Sequence, residues 1–133
     1  MTIEEKCSRE TLRKLRLKPR RKVFEYIDRG SGRKIKFDWD GAGVSADGSI
    51  TLMEVELEVS DWHIQCHLCR LAVMIRRGTT VNKLVWIVDS GVFPMLKNCV
   101  NTWLTFFSPV CKVAVPPMEY RTTKGDLLAS STA

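Results

Sequence analysis

Two acidic runs in the first half of the chain hold the side chains best suited to chemistry. The runs are FDWD and MEVELE, and their acidic residues are Asp38, Asp40, Glu54, Glu56 and Glu58. In each run the acids alternate with aromatic or aliphatic residues. Because the side chains of a β-strand alternate between its two faces, each acidic set shares one side of its strand.

A pairing of these two strands would bring the carboxylates together. The segment between them contains the turn dipeptide Asp-Gly at 47–48. If the strands pair through this turn, like charges lie opposite one another, which costs about 0.2–1 kcal/mol per pair. A divalent cation would make this arrangement of like charges favourable, since Mg²⁺ binds one or two carboxylates together with waters and substrate phosphate. The pattern therefore predicts a Mg²⁺ site that accepts Mn²⁺ as a substitute.

The charge distribution indicates a polyanionic substrate. The net charge of the 133 residues is +6. Residues 1–36 contain thirteen Lys or Arg and five Asp or Glu, whereas residues 37–133 contain eight and ten. A basic arm or face joined to a mildly acidic body is typical of proteins that contact a phosphate backbone. A basic surface that only keeps the chain in solution is the open alternative.

Hydrophobic periodicity predicts the elements that must position the acids. The expected elements are a charged helix at 3–17, strands at 22–29, 33–40 and 49–59, a helix at 61–77, a buried strand at 83–89, a helix at 91–107 and a strand at 110–115. Residues 41–48 are expected to form a loop, and residues 122–133 a flexible tail after a single domain at 1–121. This order predicts an α/β fold with a mixed sheet flanked by helices.

The helix predicted at 61–77 has two distinct sides. Its apolar side consists of Ile64, Leu68, Leu71, Ala72 and Ile75. Another side consists of His63, Cys66, His67, Arg70 and Arg77. A zinc site of His63, Cys66, His67 and Cys69 is disfavoured, because Cys69 points away from the other three on a helix. Trp62, at the start of this helix, is either a core residue or a surface on which a base could stack.

Cysteine usage and hydropathy indicate the compartment. The five cysteines are an odd number without the spacing of a small disulfide-rich domain. No apolar segment follows Met1, and no apolar run approaches the roughly 18 residues that a membrane span needs. The sequence predicts a soluble intracellular protein with no membrane contact, cytoplasmic or, in a prokaryote, associated with the nucleoid.

In this order of elements, the acidic residues resemble the motif of the PD-(D/E)xK, or restriction-endonuclease-like, nuclease superfamily. The family has an α-β-β-β-α-β core, an acid at the end of the second strand and a (D/E)-x-K triplet on the third. Asp40, in DWDGAGV, matches the first acid, with Asp38 as the alternative. Glu54-Val55-Glu56 stands where the triplet is expected. The resemblance covers residues 3–115 as topology and only a few positions as motif.

The resemblance implies roles for these positions. Asp40 and Glu54 would bind Mg²⁺, with the backbone carbonyl of Val55 as a further ligand. Gln65, with His67 nearby at the start of the next helix, would orient the attacking water. The chain departs from the pattern at Glu56, which replaces the Lys, although some restriction enzymes of the superfamily use Glu there. A Glu can bind a metal or accept a proton from the water, but it cannot stabilise the charge that develops at phosphorus.

The missing positive charge must then come from elsewhere, and Arg76 or the stretch 20–22 are the candidates. The residues expected to contact nucleic acid are Arg20, Arg21, Lys22, Arg33, Lys34, Lys36 and Arg76. The resemblance implies a Mg²⁺-dependent endonuclease that acts on DNA, as a homodimer or with a targeting protein partner. The alternative is an inactive nuclease-fold module that binds nucleic acid or a protein within a larger complex. A solvated strand face remains the alternative explanation of the three glutamates.

Overall fold

The computed structural model describes residues 1–131, with side chains at every position except 108 and 111. Three helices and eight strands lie within this range. The helices are α1 (Ile3–Leu15), α2 (Asp61–Arg76) and α3 (Phe93–Cys111). The strands are β1 (Lys18–Pro19), β2 (Val23–Ile27), β3 (Lys34–Asp38), β4 (Gly41–Val44), β5 (Ile50–Glu56), β6 (Val81–Val88), β7 (Met118–Arg121) and β8 (Leu127–Ser131).

Six of the strands form one mixed sheet in the order β1-β4-β5-β6-β7-β8. The central strands β5, β6 and β7 are parallel, and the flanking pairs are antiparallel. Parallel neighbours need a crossover connection, which α2 and α3 supply. The prediction of an α/β fold with a mixed sheet flanked by helices is confirmed.

The alternation of side chains along β6 shows how the two faces of the sheet are covered. Leu84, Trp86 and Val88 belong to the core that contains residues of α2 and α3. Val85 and Ile87 belong to a smaller core that contains Cys7 and Leu12 of α1. With helices on both faces, the continuous apolar run of β6 is fully buried, as its composition predicts. Within residues 1–131, no helix combines the length and hydropathy that crossing a bilayer requires.

Helix α1 lies close to β4 because two residues of that strand have no side chain. A Cβ atom at Gly41 would lie 2.6 Å from Ser8 Oγ, and one at Gly43 would lie 2.5 Å from Leu12 Cδ2. The Ser8 hydroxyl donates a hydrogen bond to the backbone carbonyl of Asp40 at 3.0 Å. The glycines therefore let α1 hold the backbone at the point where the first predicted acid lies.

The two remaining strands, β2 and β3, extend the antiparallel pair of β1 and β4 beyond the main sheet. Together these four strands form a two-stranded ribbon. Lys18 pairs with Val44, and farther along the ribbon Val23 pairs with Asp38, a register shifted by one residue. Between these pairs, the Trp39 amide donates to the Lys22 carbonyl at 3.0 Å. The β2–β3 hairpin is a separate two-stranded sheet. The ribbon thus leaves the main sheet at Trp39 and Asp40.

Three parts of the chain differ from the sequence-based expectation. The strand predicted at 33–40 ends at Asp38, and part of the expected loop is β4, which pairs with β5 through the turn at 45–49. The strand predicted at 110–115 is wrong, because α3 continues to Cys111 and β7 begins at Met118. Pro116 and Pro117 lack the amide hydrogen that a ladder requires, so the strand starts after them.

The third difference concerns the C-terminal segment. The chain turns at Thr122–Gly125, where the Gly125 amide donates to the Thr122 carbonyl at 2.9 Å. Leu127–Ser131 then pairs with β7 as an edge strand instead of fraying. Gly125 has a φ of +86°, which a glycine adopts without strain. Residues 132 and 133 of the predicted tail lie outside the described residues.

Candidate metal centre

Glu54 and Glu56 lie on the side of β5 that α2 covers. Leu52, two residues earlier, packs in the core shared with α2, whereas Met53 and Val55 pack toward α1. Glu54 is 4% exposed and Glu56 is 6% exposed. The interpretation of a solvated strand face is therefore wrong for these two residues, and only Glu58 is exposed. Buried carboxylates require a partner that compensates for lost hydration.

His67 of α2 supplies a contact to both glutamates. Its Nε2 atom lies 3.2 Å from Glu54 Oε2 and 3.1 Å from Glu56 Oε1. One donor atom from each of Glu54, Glu56 and His67 lies within 4.8 Å of the other two. The other ring nitrogen, Nδ1, is buried and has no hydrogen-bond partner among the described residues. Two carboxylates and an imidazole thus converge on one point.

Asp40 is held against the same group by the backbone of β5. Its Oδ2 atom accepts a hydrogen bond from the Val55 amide at 2.8 Å. Its own amide donates to Glu54 Oε1 at 3.2 Å. These two bonds set the position of Asp40 beside Glu54, while Ser8 holds its carbonyl from the opposite side. Asp40 and Glu54 are therefore neighbours. The predicted pairing is wrong for the strand that holds Asp38, because β3 pairs with β2 and only β4, which follows Asp40, pairs with β5.

Burial and the neighbouring acidic groups raise the pKa of Glu54. Burial contributes most to this rise in pKa. The charge of Asp40, a side-chain hydrogen bond with Asp40 and the charge of Glu56 raise the pKa further. The amide of Asp40 opposes them, and the net effect raises the pKa of Glu54 to about 10. Without a cation, Glu54 is therefore protonated at neutral pH. A bound cation would favour the carboxylate form.

Glu54, Glu56 and His67 line an open cleft of about 440 Å³. The β-strand side of the cleft is formed by Asp40, Glu54, Val55 and Glu56. The α2 side is formed by Trp62, His63, Cys66, His67 and Arg70. These α2 residues form one stripe because positions three or four apart are neighbours on a helix. A space of this size is typical of small-ligand sites.

Asp40, Glu54, Val55 and Glu56 come together, whereas two other candidates do not join them. Asp38 is exposed on β3, where it pairs with Val23. Gln65 is half-buried on α2 and does not line the cleft. Gln65 lies two residues before His67, so its side chain is turned about 200° around the helix axis from that of His67. Only one of these two side chains can therefore face β5. His67 occupies the place that the resemblance implied for Gln65.

The basic residues predicted to contact nucleic acid lie outside this cleft. Arg20 and Arg21 line a second groove of about 470 Å³. Arg76 lines a third with Arg29 and Arg77. Glu25 lies 3.5 Å from Lys34, 3.6 Å from Arg21 and 3.8 Å from Lys36. Lys22 is half-buried and Arg33 is exposed.

Arg70 is the guanidinium that lines the cleft. Arg76, the cation predicted from the sequence, lies six residues later on α2, or about 9 Å along the helix axis. The stripe of polar residues on α2 carried the signal for Arg70, His63 and His67. The zinc group remains disfavoured, because Cys69 is exposed and does not line the cleft.

No protein-family model, curated protein or solved structure matches this chain. The residues and their geometry are therefore the basis for a functional assignment.

Proposed function

We propose that this chain is a metal-dependent phosphodiesterase with a restriction-endonuclease-like fold that hydrolyses nucleic acid, DNA foremost. The observation that carries the proposal is the convergence of Glu54, Glu56 and His67 donor atoms within 4.8 Å in an open cleft. The order α1, antiparallel strands with acids, α2 and β6 supports the same family resemblance. The basic first quarter of the chain supports a polyanionic substrate.

The donor set fits a divalent ion. Glu54 and Glu56 supply two buried carboxyl groups, and the raised pKa of Glu54 means that its ionised form needs a compensating cation. Carboxylates suit Mg²⁺ and Mn²⁺, whereas imidazole suits later transition metals. Mn²⁺ lies between these classes, so we propose it as a better fit than the Mg²⁺ expected from sequence. When bound, such an ion supplies Lewis acidity toward phosphate and lowers the pKa of a bound water.

The protein's own residues hold and orient the site in this proposal. Glu54, Glu56 and His67 are the ligands. Asp40 positions Glu54 through its amide and fixes the β5 backbone through its carboxylate, at 3.2 Å and 2.8 Å respectively. Arg70 lines the cleft, where a guanidinium can offset charge that develops on a phosphate group. It takes the electrostatic role of the Lys that Glu56 replaces.

Cleavage of supercoiled plasmid and of labelled oligonucleotides tests the proposal. Cutting is expected with Mn²⁺, to be abolished by EDTA, and to fall by roughly 100-fold or more in Glu54→Gln. Glu58→Gln is the matched control, since Glu58 lies on the same run but is exposed. Equal cutting by wild type and Glu54→Gln, or intact substrates with every divalent metal, would overturn the proposal.

A second function is favoured by the replacement of the motif's Lys with Glu56. In this alternative the chain binds nucleic acid, or a protein within a larger complex, without cutting anything. The same experiments separate the two. Retarded but intact oligonucleotides, with an affinity that falls steeply with salt, select the binding module.

A further inference from the structure

We infer that Trp62 is a stacking platform for an unpaired base and that the cleft therefore takes single-stranded nucleic acid. This inference rests on the proposed function, and it names the class of substrate for the same site. Trp62 lines the cleft together with Glu54, Glu56 and His67. The metal group and an aromatic surface thus lie within one cavity.

The exposure of Trp62 sets it apart from the other tryptophans. It is 69% exposed, whereas Trp39 is 1% exposed and Trp86 is fully buried. Trp103 is half-buried, and its indole donates to Asp61 at 3.2 Å. A single exposed apolar side chain is common on a protein surface, so the informative feature of Trp62 is its position in the cleft beside the glutamates and His67. A ring beside a cluster of polar groups is typical of a ligand site.

The first turn of α2 is held rigidly, so the indole is mounted on a fixed element. Ser60 caps the helix and accepts a hydrogen bond from the His63 amide at 3.4 Å. The Asp61 carboxylate accepts hydrogen bonds from Cys99 Sγ at 2.6 Å and from Trp103 Nε1 at 3.2 Å. These two donors belong to α3, and they tie the start of α2 to the neighbouring helix. A fixed backbone at Trp62 reduces the entropy that is lost when its ring stacks on a ligand.

The cleft presents groups for the base and for the phosphate of a nucleotide. Trp62 offers a face for a base, and Arg70, eight residues later, lies about 12 Å farther along α2. The metal group lies on the strand side of the same cleft. In a duplex the faces of the bases are covered by their neighbours, whereas in a single strand they are free to stack on aromatic side chains. The cleft therefore favours an unpaired strand over a duplex.

Binding and cutting of two matched probes test the inference. The probes are a short labelled oligothymidylate and the duplex that it forms with oligoadenylate. Affinity is measured by fluorescence anisotropy with Ca²⁺, and cutting is measured with Mn²⁺. We expect the wild type to favour the single strand in both, and its tryptophan emission to be quenched on binding. Trp62→Leu should weaken single-strand affinity about 10- to 100-fold and remove the quenching.

Two further variants separate stacking from general damage. Trp62→Phe keeps an aromatic face and should retain most of the affinity for the single strand. Phe106→Leu removes an equally exposed ring on α3, 60% exposed, outside the residues that line the cleft, and it should leave both probes unaffected. Circular dichroism of each variant verifies that it is folded.

The outcomes distinguish this inference from the proposed function. If the chain cuts nucleic acid but Trp62→Leu changes neither affinity nor cutting, or if the duplex is preferred, the inference fails and the nuclease proposal survives. If the wild type neither binds nor cuts either probe but cuts plasmid, only the inference fails. If the plasmid also stays intact with every divalent metal, both fail.

Discussion

Glu54 and Glu56 occupy an environment that ionised carboxylates tolerate only with a partner. They are almost fully buried, one histidine nitrogen contacts both, and Glu54 also accepts a hydrogen bond from the Asp40 amide. Burial and the neighbouring acidic groups raise the pKa of Glu54, so its ionised form is disfavoured in the metal-free fold. A divalent cation would favour the ionised form, because its charge would compensate those of both carboxylates.

The stability of the metal-free protein should depend on the titration of Glu54. Its pKa is raised in the fold from an ordinary 4.5 to about 10. A carboxyl with a raised pKa contributes its full stability below the unfolded value, and that contribution is lost as pH rises toward the folded value. We therefore expect the free energy of unfolding in EDTA to fall between about pH 5 and pH 8, by roughly 1 kcal/mol per pH unit at most.

Glu54→Gln should flatten this pH dependence and be more stable than wild type in EDTA near pH 8. Urea denaturation at several pH values provides the measurement. Glu58→Gln should keep the wild-type slope, since Glu58 is exposed. An unchanged slope in Glu54→Gln would show that Glu54 is ionised in the metal-free fold.

His67→Asn should weaken metal binding selectively. Its Nε2 atom lies within 3.2 Å of both glutamates, so its removal deletes one of three donors. We expect Mn²⁺ affinity to fall roughly 10-fold or more and Mg²⁺ affinity to change less, because imidazole contributes little to Mg²⁺ binding. Isothermal titration calorimetry gives both affinities. His63→Asn, in the same cleft, is the control, and an equal loss in both variants would contradict the ligand assignment.

At the scale of elements, the close packing of α1 on β4 connects the fold to the site. Gly41 lies beneath Ser8, and the Ser8 hydroxyl holds the carbonyl of Asp40 at 3.0 Å. Asp40 in turn holds Glu54 and the β5 backbone. A displacement of α1 is therefore transmitted to Glu54 through two consecutive hydrogen bonds, from Ser8 to Asp40 and from Asp40 to Glu54.

Gly41→Ala should lower both stability and activity. The new methyl would lie 2.6 Å from Ser8 Oγ and 2.7 Å from Ser8 Cβ, so α1 must move. Overpacking of this kind costs about 1–3 kcal/mol. Thermal unfolding and Mn²⁺ affinity measure the two effects. Gly30→Ala is the matched control, because its methyl would meet only Asp28 Oδ2 at an ordinary 3.8 Å. Wild-type stability of Gly41→Ala would contradict the close packing.

At the scale of the whole molecule, the positive charge and the cleft are separate features. The basic residues at 20–22 and 33–36 lie on the ribbon of β1 to β4, where Glu25 contacts three of them. The acidic and aromatic groups lie between β5 and α2. In the proposed function, the ribbon attracts a polyanion over a distance, and the cleft acts on one part of it.

The logarithm of the nucleic-acid affinity should fall linearly with the logarithm of the salt concentration. The slope should reflect the number of phosphate contacts that the basic residues of the ribbon make. Arg20→Gln removes an exposed guanidinium that otherwise stacks on Phe24 at 4.0 Å. We expect it to reduce the slope by about one, with a similar loss for every sequence. Trp62→Leu should lower affinity without changing the slope. An identical slope for wild type and Arg20→Gln would place Arg20 outside the contact surface.

The sequence by itself determined the local features of this protein. Alternation put Glu54 and Glu56 on one side of β5, and the helical period put His63, Cys66, His67 and Arg70 on one side of α2. The uninterrupted apolar run predicted the buried strand β6. Such patterns follow from side-chain direction within one element, which depends only on neighbouring backbone angles.

Only the tertiary structure decided which surfaces meet. It placed α2 over the glutamates and brought His67, rather than Gln65, to them. It formed β4 from a glycine-containing segment whose sequence predicts a loop, and it paired the segment Leu127–Ser131 with β7. These outcomes depend on contacts between distant parts of the chain, where packing outweighs the propensity of any single segment.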